Sequence, residues 1–331
     1  RKMLDRAGRR THGLIATATH DTKRGEDART RILALTELSS EWASMVGRWK
    51  TFNAGLVSTN NGVRSPSVAD EYMLYQALIG ALPFDDIDHI FVARMQAYAE
   101  KACREAKLQT SWLNPDATYE TGVRQFLAGI LDEHRSSEFL RSLKTFARRT
   151  SLIGALNSLS QITLKATIPG VPDFYQGTEL WDLSLVDPDN RRPVDFTARE
   201  AILDSESADM SALTESWADG RLKLAWTHHL LDMRTRYANV FADGDFRPLI
   251  AEGAHRHHVI AFGRTHRSEA IVVVALRHFA LFTDAGMMWP TFDSLNACVD
   301  LDNLSLIHPA VMDQKLDLKR LFDRLPIAVL A

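Results

Sequence analysis

The sequence predicts an α/β chain with an all-β module at its end, and three observations carry that prediction. A short apolar, β-branched run, "GLIATATHD" (13–21), stops abruptly in charge. From Gly25 to about Thr150 the pattern is helical. Beyond Asp245 the apolar runs become short and extended. Strand, helices, strand, loop and helix is the rhythm of part of a β/α barrel, whose active sites lie where the strands end.

Each element has a local cause. Leu14, Ile15, Thr17 and Thr19 favour a buried strand over 13–21. In the helical block, Trp42, Met45, Val46, Trp49 and Phe52 recur at helical spacing, as do Ile87, Ile90, Phe91, Met95 and Tyr98. "NGVRSPS" (61–67) and "GALPFDD" (80–86) break the pattern into five or six helices. "NPDATYE" reads as a helix start, with Asn114 as cap and Pro115 at the first helical position. A helix rich in small residues (151–163) leads into a strand expected over 164–175, then the turn-rich "PGVPDFYQG". "DPDNRRPVDF" (187–196) is a polar loop, and a helix over 221–238 opens at Gly220. Segments 257–264, 269–279 and 325–331 read as strands of the β module. The domains expected are 1–24, 25–150, 151–245 and 246–331.

Composition excludes more than it assigns. At 331 residues, with 45% hydrophobic and 24% charged residues, the chain suits a globular protein with a sizeable core. A net charge of -3 argues against a general nucleic-acid binder. Cys103 and Cys298 are far apart and suggest neither a disulfide framework nor a metal knuckle, which fits a reducing cytoplasm. No apolar run approaches the ~20 residues of a membrane span. The basic N-terminus lacks an apolar run of the secretory type and an initiator Met, and reads as a chain entered in the middle. "HRHH" (255–258) reads as a solvated turn, because no Cys or carboxylate stands at ligand spacing. No metal and no cofactor are expected.

The stretches "ATATHDTKRGEDARTRI", "DEYMLYQALIGALPF", "ARMQAYAEKACREAKLQTSWLNP" and "IPGVPDFYQGTELWDLSLVDPDNRRPVDF" resemble the malto-oligosyltrehalose synthase family, within the α-amylase superfamily. The resemblance runs over essentially the whole chain. It implies the C-terminal part of a (β/α)8 barrel with a large helical insertion, followed by a small β-sandwich. It also implies a malto-oligosaccharide substrate, whose reducing-end α-1,4 bond becomes α,α-1,1 by intramolecular transfer. The nucleophilic Asp and acid/base Glu of the family belong to barrel strands upstream of the segment matched here, so the chain is expected to be inactive alone, with a separate N-terminal half as an alternative partner.

Residue by residue, Asp21 matches the family's third catalytic carboxylate, and His20 the neighbouring histidine that hydrogen-bonds sugar hydroxyls. Lys23 and Arg24 either bind hydroxyls or pair with Glu26 and Asp27. Asp173, Tyr175, Gln176 and Glu179 combine an apolar face with polar edges, as pyranose rings require, or else their loop only closes the barrel floor. Arg191 and Arg192 either line the pocket or pair within their own loop. The competing readings are a glucan-binding fragment without catalysis and another superfamily hydrolase. The large helical insertion argues against the second, because simpler amylases lack it.

Overall fold

The computed structural model describes residues 2–9, 12–205, 209–304 and 309–331. It divides into two compact units, one of Arg1–Thr19, Ala155–Asp182 and Pro193–Ala331, the other of His20–Gly154 and Leu183–Arg192. The described residues are helical with small sheets, and no closed barrel is among them.

The unit of His20–Gly154 and Leu183–Arg192 is built from the expected helical block. Its helices are Glu26–Ala34, Ser39–Asn53, Val68–Ala81, His89–Ala106, Ala117–Ile130 and the first part of Glu133–Thr167. The expected break at 61–67 is a hairpin, Ser58–Asn60 against Val63–Ser65, turned by Asn61 and Gly62 at positive φ. The core centres on Trp49, fully buried, with the rings of Tyr75 and Phe139 packed edge-on at 5.5 and 5.6 Å. Its indole N–H would be costly to bury unpaired, and it donates to Ser142 Oγ at 2.9 Å. One expectation is corrected. The helix after "NPD" starts at Ala117, and its cap is Asp116, not Asn114. Asp116 accepts from the Tyr119 amide at 2.9 Å, and its negative charge suits the positive end of the helix dipole.

The other unit holds a parallel pair, Leu14–Ile15 with Val171–Pro172, and the β module. Both strands are shorter than expected. The helix expected to end at 163 runs to Thr167, because Thr163 and Thr167 return their hydroxyls to the carbonyls of Leu159 and Thr163. Leu159, Ile162 and Ala166 then continue one apolar face. Gly170 ends the turn at φ 133; a Cβ there would lie 2.7 Å from the Gly13 carbonyl.

Among the described residues the module contains two four-stranded antiparallel sheets. In one, Ile327–Leu330, Glu269–Leu276, Val259–His266 and Asp245–Pro248 lie side by side. In the other the order is Val311–Met312, Lys315–Asp317, Cys298–Asp300 and Ala251–Glu252. Ile271 to Leu276 are all 0% exposed, which is why "IVVVAL" shows no alternation. Ile271, Val273 and Ala275 pack with Trp226, Leu230, Val240 and Phe241 from the helices Arg221–Arg236 and Ala238–Asp243. Arg264 is buried. It donates to the carbonyls of Thr167, Phe241, Gly244 and Asp245, and so closes two helix ends.

Candidate functional site

In the helical unit, His20–Thr22 form a single 3-10 turn rather than a strand end. Asp21 is exposed at its centre. The His20 side chain lies outside the described residues. Lys23 follows in the left-handed region, φ 67, which turns the chain so that Arg24 bridges Leu185 and the Gly25 amide donates to the Ser184 carbonyl at 2.7 Å. Backbone pairing therefore joins "HDTKRG" to the loop that carries Arg191 and Arg192.

The partners of the two cations come from the helix His89–Ala106. Lys23 pairs with Glu105 at 2.7 Å, and Arg24 donates to the Tyr98 hydroxyl at 2.9 Å while lying over its ring. Burial pushes the Tyr98 hydroxyl up, and Arg24 only partly offsets it, so the phenol stays neutral. From the same helix, Arg94 grips Asp189 with two hydrogen bonds of 2.7 and 2.8 Å, and Lys101 donates to the Asp187 carbonyl. Asp189 also accepts from the Leu185 amide at 2.7 Å. Burial raises the Asp189 carboxyl, but Arg94 and that amide outweigh it and hold it below the usual carboxylate range. Arg191 pairs with Asp187, and Arg192 donates to the Asp189 carbonyl.

Arg94, Lys101 and Glu105 were not singled out from the sequence, and Tyr98 was read only as part of the apolar helical stripe. Their spacing of four, three and four places them on one helical face, and that polar stripe was the available signal.

In the other unit, Asp173 continues the strand pairing, its amide donating to the Ile15 carbonyl. Tyr175 is 56% exposed and Gln176 is exposed. Glu179 stabilises the turn from inside: one of its oxygens accepts from the Gly177 amide at 2.9 Å and from Arg199 at 3.0 Å. Trp181 donates to the Trp217 carbonyl. Arg199, three residues into the helix Phe196–Ser205, was also missed. The loop thus presents Tyr175 and Gln176 outward and keeps Glu179 for its own geometry.

Among the described residues no group of three His, Cys, Asp or Glu side chains is placed to hold a metal ion. No described helix is long and apolar enough to cross a membrane. In "HRHH", His255 precedes the 3-10 turn Arg256–His258 and accepts from the Asn296 amide.

No protein-family model matches the chain. A curated protein of Mycobacterium tuberculosis, provisionally described as a maltooligosyl trehalose synthase, is 35% identical over 271 residues, 80% of this chain and 31% of its own length. The solved maltooligosyltrehalose synthase of Arthrobacter ramosus matches with a TM-score of 0.75 and 31% identity, over 99% of this chain and 40% of that one. Another maltooligosyl trehalose synthase structure matches at 0.73 and 33% identity, over 84% of this chain and 36% of that one. Fold and sequence thus place the chain with α-amylase-type carbohydrate enzymes. Within that class it belongs to the maltooligosyl trehalose synthase family. It spans about a third of the length of the curated relatives it matches.

Proposed function

We propose that the chain is the C-terminal portion of a malto-oligosyltrehalose synthase and supplies sugar-gripping groups for an intramolecular transglucosylation. The observation that carries this reading is the match of 99% of the chain, at 31% identity, to a synthase of known structure. In the proposed reaction an upstream Asp attacks the anomeric carbon of the penultimate glucose, and an upstream Glu protonates the departing 4-oxygen of the terminal one. The freed glucose turns over, and its anomeric hydroxyl, giving its proton back to the Glu, attacks the same anomeric carbon and displaces the Asp carboxylate, which makes the α,α-1,1 bond. Asp21 stabilises the positive charge that develops at the ring, and His20 hydrogen-bonds the same sugar. In the helical unit Lys23, Arg24, Arg191 and Arg192 order the surroundings of Asp21; in the other unit Tyr175 and Gln176 offer a glucose ring an apolar face and a polar edge, on a loop that Asp173 and Glu179 order.

In this reading residues 1–24 and 151–245 are the last strands and helices of a barrel, 25–150 is an insertion, and 246–331 is a β-sandwich. The setting is cytoplasmic, with no nucleic acid or membrane involved. A separate chain carrying the upstream half is the alternative arrangement.

The test is kinetic. The 331-residue chain alone gives no non-reducing product from maltopentaose; a trehalose-ended product would overturn the assignment of nucleophile and acid/base to upstream residues. With the upstream half supplied, Asp21→Asn lowers kcat and kcat/KM alike, on the order of 10² to 10⁴-fold, and leaves glucan binding little changed. Normal turnover with a lowered melting temperature would make Asp21 a helix-start residue and nothing more.

A further inference from the structure

Lys165 is 2% exposed, although ammonium groups are seldom fully buried and their desolvation is costly. It sits two residues before the end of the helix Glu133–Thr167. Its Nζ lies 3.3 Å from Thr17 Oγ1 and 4.5 Å from the centre of the Phe174 ring. The two contacts are matched in register. Leu14 pairs with Val171 and Ile15 with Pro172, so Thr17 and Phe174 occupy equivalent places beyond the two strands. The strands are only two residues long, and the ladder extends past them by one hydrogen bond, from the Asp173 amide to the Ile15 carbonyl. So short a pair cannot by itself fix the loops that leave it. A buried cation that donates to one loop and lies over an aromatic ring of the other fixes both.

We propose that Lys165 is a positioning residue: it holds the loop through Thr17 and the loop Asp173–Gly177 in a common register, so that Tyr175 and Gln176 are preset for a glucose ring. The functional half of this inference rests on the glucan reading above. Lys165 touches no substrate. It acts through Phe174, whose neighbour Tyr175 points its exposed ring away from the core. Methionine has nearly the volume of lysine and avoids the desolvation cost, so a slot that only needed filling would be served at least as well by Met.

The experiment uses the 331-residue chain and three forms, wild type, Lys165→Met and Lys165→Arg. Amide hydrogen exchange in 16–19 and 173–177 rises together in the Met variant, about tenfold or more, while exchange in Ile271–Leu276 is unchanged. The dissociation constant for maltopentaose, followed by calorimetry, rises about five- to tenfold in the Met variant. It returns part of the way with Arg, which keeps a cation over Phe174. Three results would overturn the proposal: unchanged exchange in both loops, a rise in one loop only, or a Met variant that binds maltopentaose as the wild type does. A wild-type chain with no affinity for maltopentaose counts against the glucan reading instead, and the exchange measurement still decides whether Lys165 couples the loops.

Discussion

Asp189 is the side chain on which the loop 183–192 depends, and Asp189→Asn measures that dependence. The substitution keeps size and one acceptor. It removes the charge, and it turns one oxygen into an amide that faces donors, either Arg94 or the Leu185 amide. A hydrogen bond to a charged group contributes about 1.5–3 kcal/mol, and breaking a buried ion pair costs about 3–5 kcal/mol. The Arg94 and Asp189 side chains are 18% and 11% exposed, so water screens them in part and about 2–3 kcal/mol is the expected loss. At about 1.4 kcal/mol per tenfold, protection of the Leu185 amide against hydrogen exchange falls roughly 30- to 100-fold. Arg94→Met, alone and combined with Asp189→Asn, completes a double-mutant cycle read by urea unfolding, with a coupling of about 1–3 kcal/mol. The pH dependence has a definite sign. The folded-state pKa is depressed, so the stabilisation is complete above the unfolded value of about 3.9 and disappears as pH falls through the folded one. The wild type therefore loses more stability on acidification below about pH 4 than the Asn variant does. A coupling under about 0.5 kcal/mol, or identical acid profiles, would refute the claim that this pair holds the loop.

Two further expectations follow from close packing and from burial. A Cβ on Gly154 would lie 2.9 Å from Arg31 Cα, so Gly154→Ala forces two helices apart and costs about 1–3 kcal/mol by urea unfolding; a neutral result would mean that the helices can separate freely. His229 stacks on Trp226 at 5.0 Å, and burial holds its imidazole below the ordinary 6.5. The unfolded chain therefore takes up the proton first, and stability falls as pH drops from about 7 through the folded pKa; in His229→Phe, thermal melts from pH 8 to 5 lose that component.

What the sequence reveals and conceals follows from where the causes lie. The run Ile271–Leu276 is legible as a buried strand because its cause is local composition. The helix Arg221–Arg236 is legible because Gly220, at φ 85, marks its start. The strand expected from Leu164 was misread because β-branched threonines favour strands on average, whereas here their hydroxyls bond back along a helix. For Lys23 and Arg24 the sequence left two readings open, sugar hydroxyls or Glu26 and Asp27, the nearest charges in sequence. Folding brought Glu105 and Tyr98 instead, and both Glu26 and Asp27 are buried in the helix that follows. Long-range pairing of this kind leaves no mark in a short window.

The charges of "HDTKRGED" therefore divide by task, and the division bears on the proposed chemistry. Lys23, Arg24, Glu26 and Asp27 are committed to the fold, and Asp21 is the exposed carboxylate of the stretch. A loss of 10² to 10⁴-fold in turnover corresponds to about 3–5.5 kcal/mol. An exposed carboxylate 4 Å from a developing charge supplies only about 1 kcal/mol in bulk water, and about 4 kcal/mol at an effective dielectric constant of 20. Asp21 can play the proposed part only where a bound glucan and surrounding protein have displaced that water. By the same argument, an isolated chain that keeps the carboxylate in place is expected to show no catalysis. It also ties the size of the Asp21→Asn effect to how completely the site closes over the sugar. In the chain alone, the substitution should scarcely alter maltopentaose binding, and its full kinetic cost should emerge only with the upstream half present.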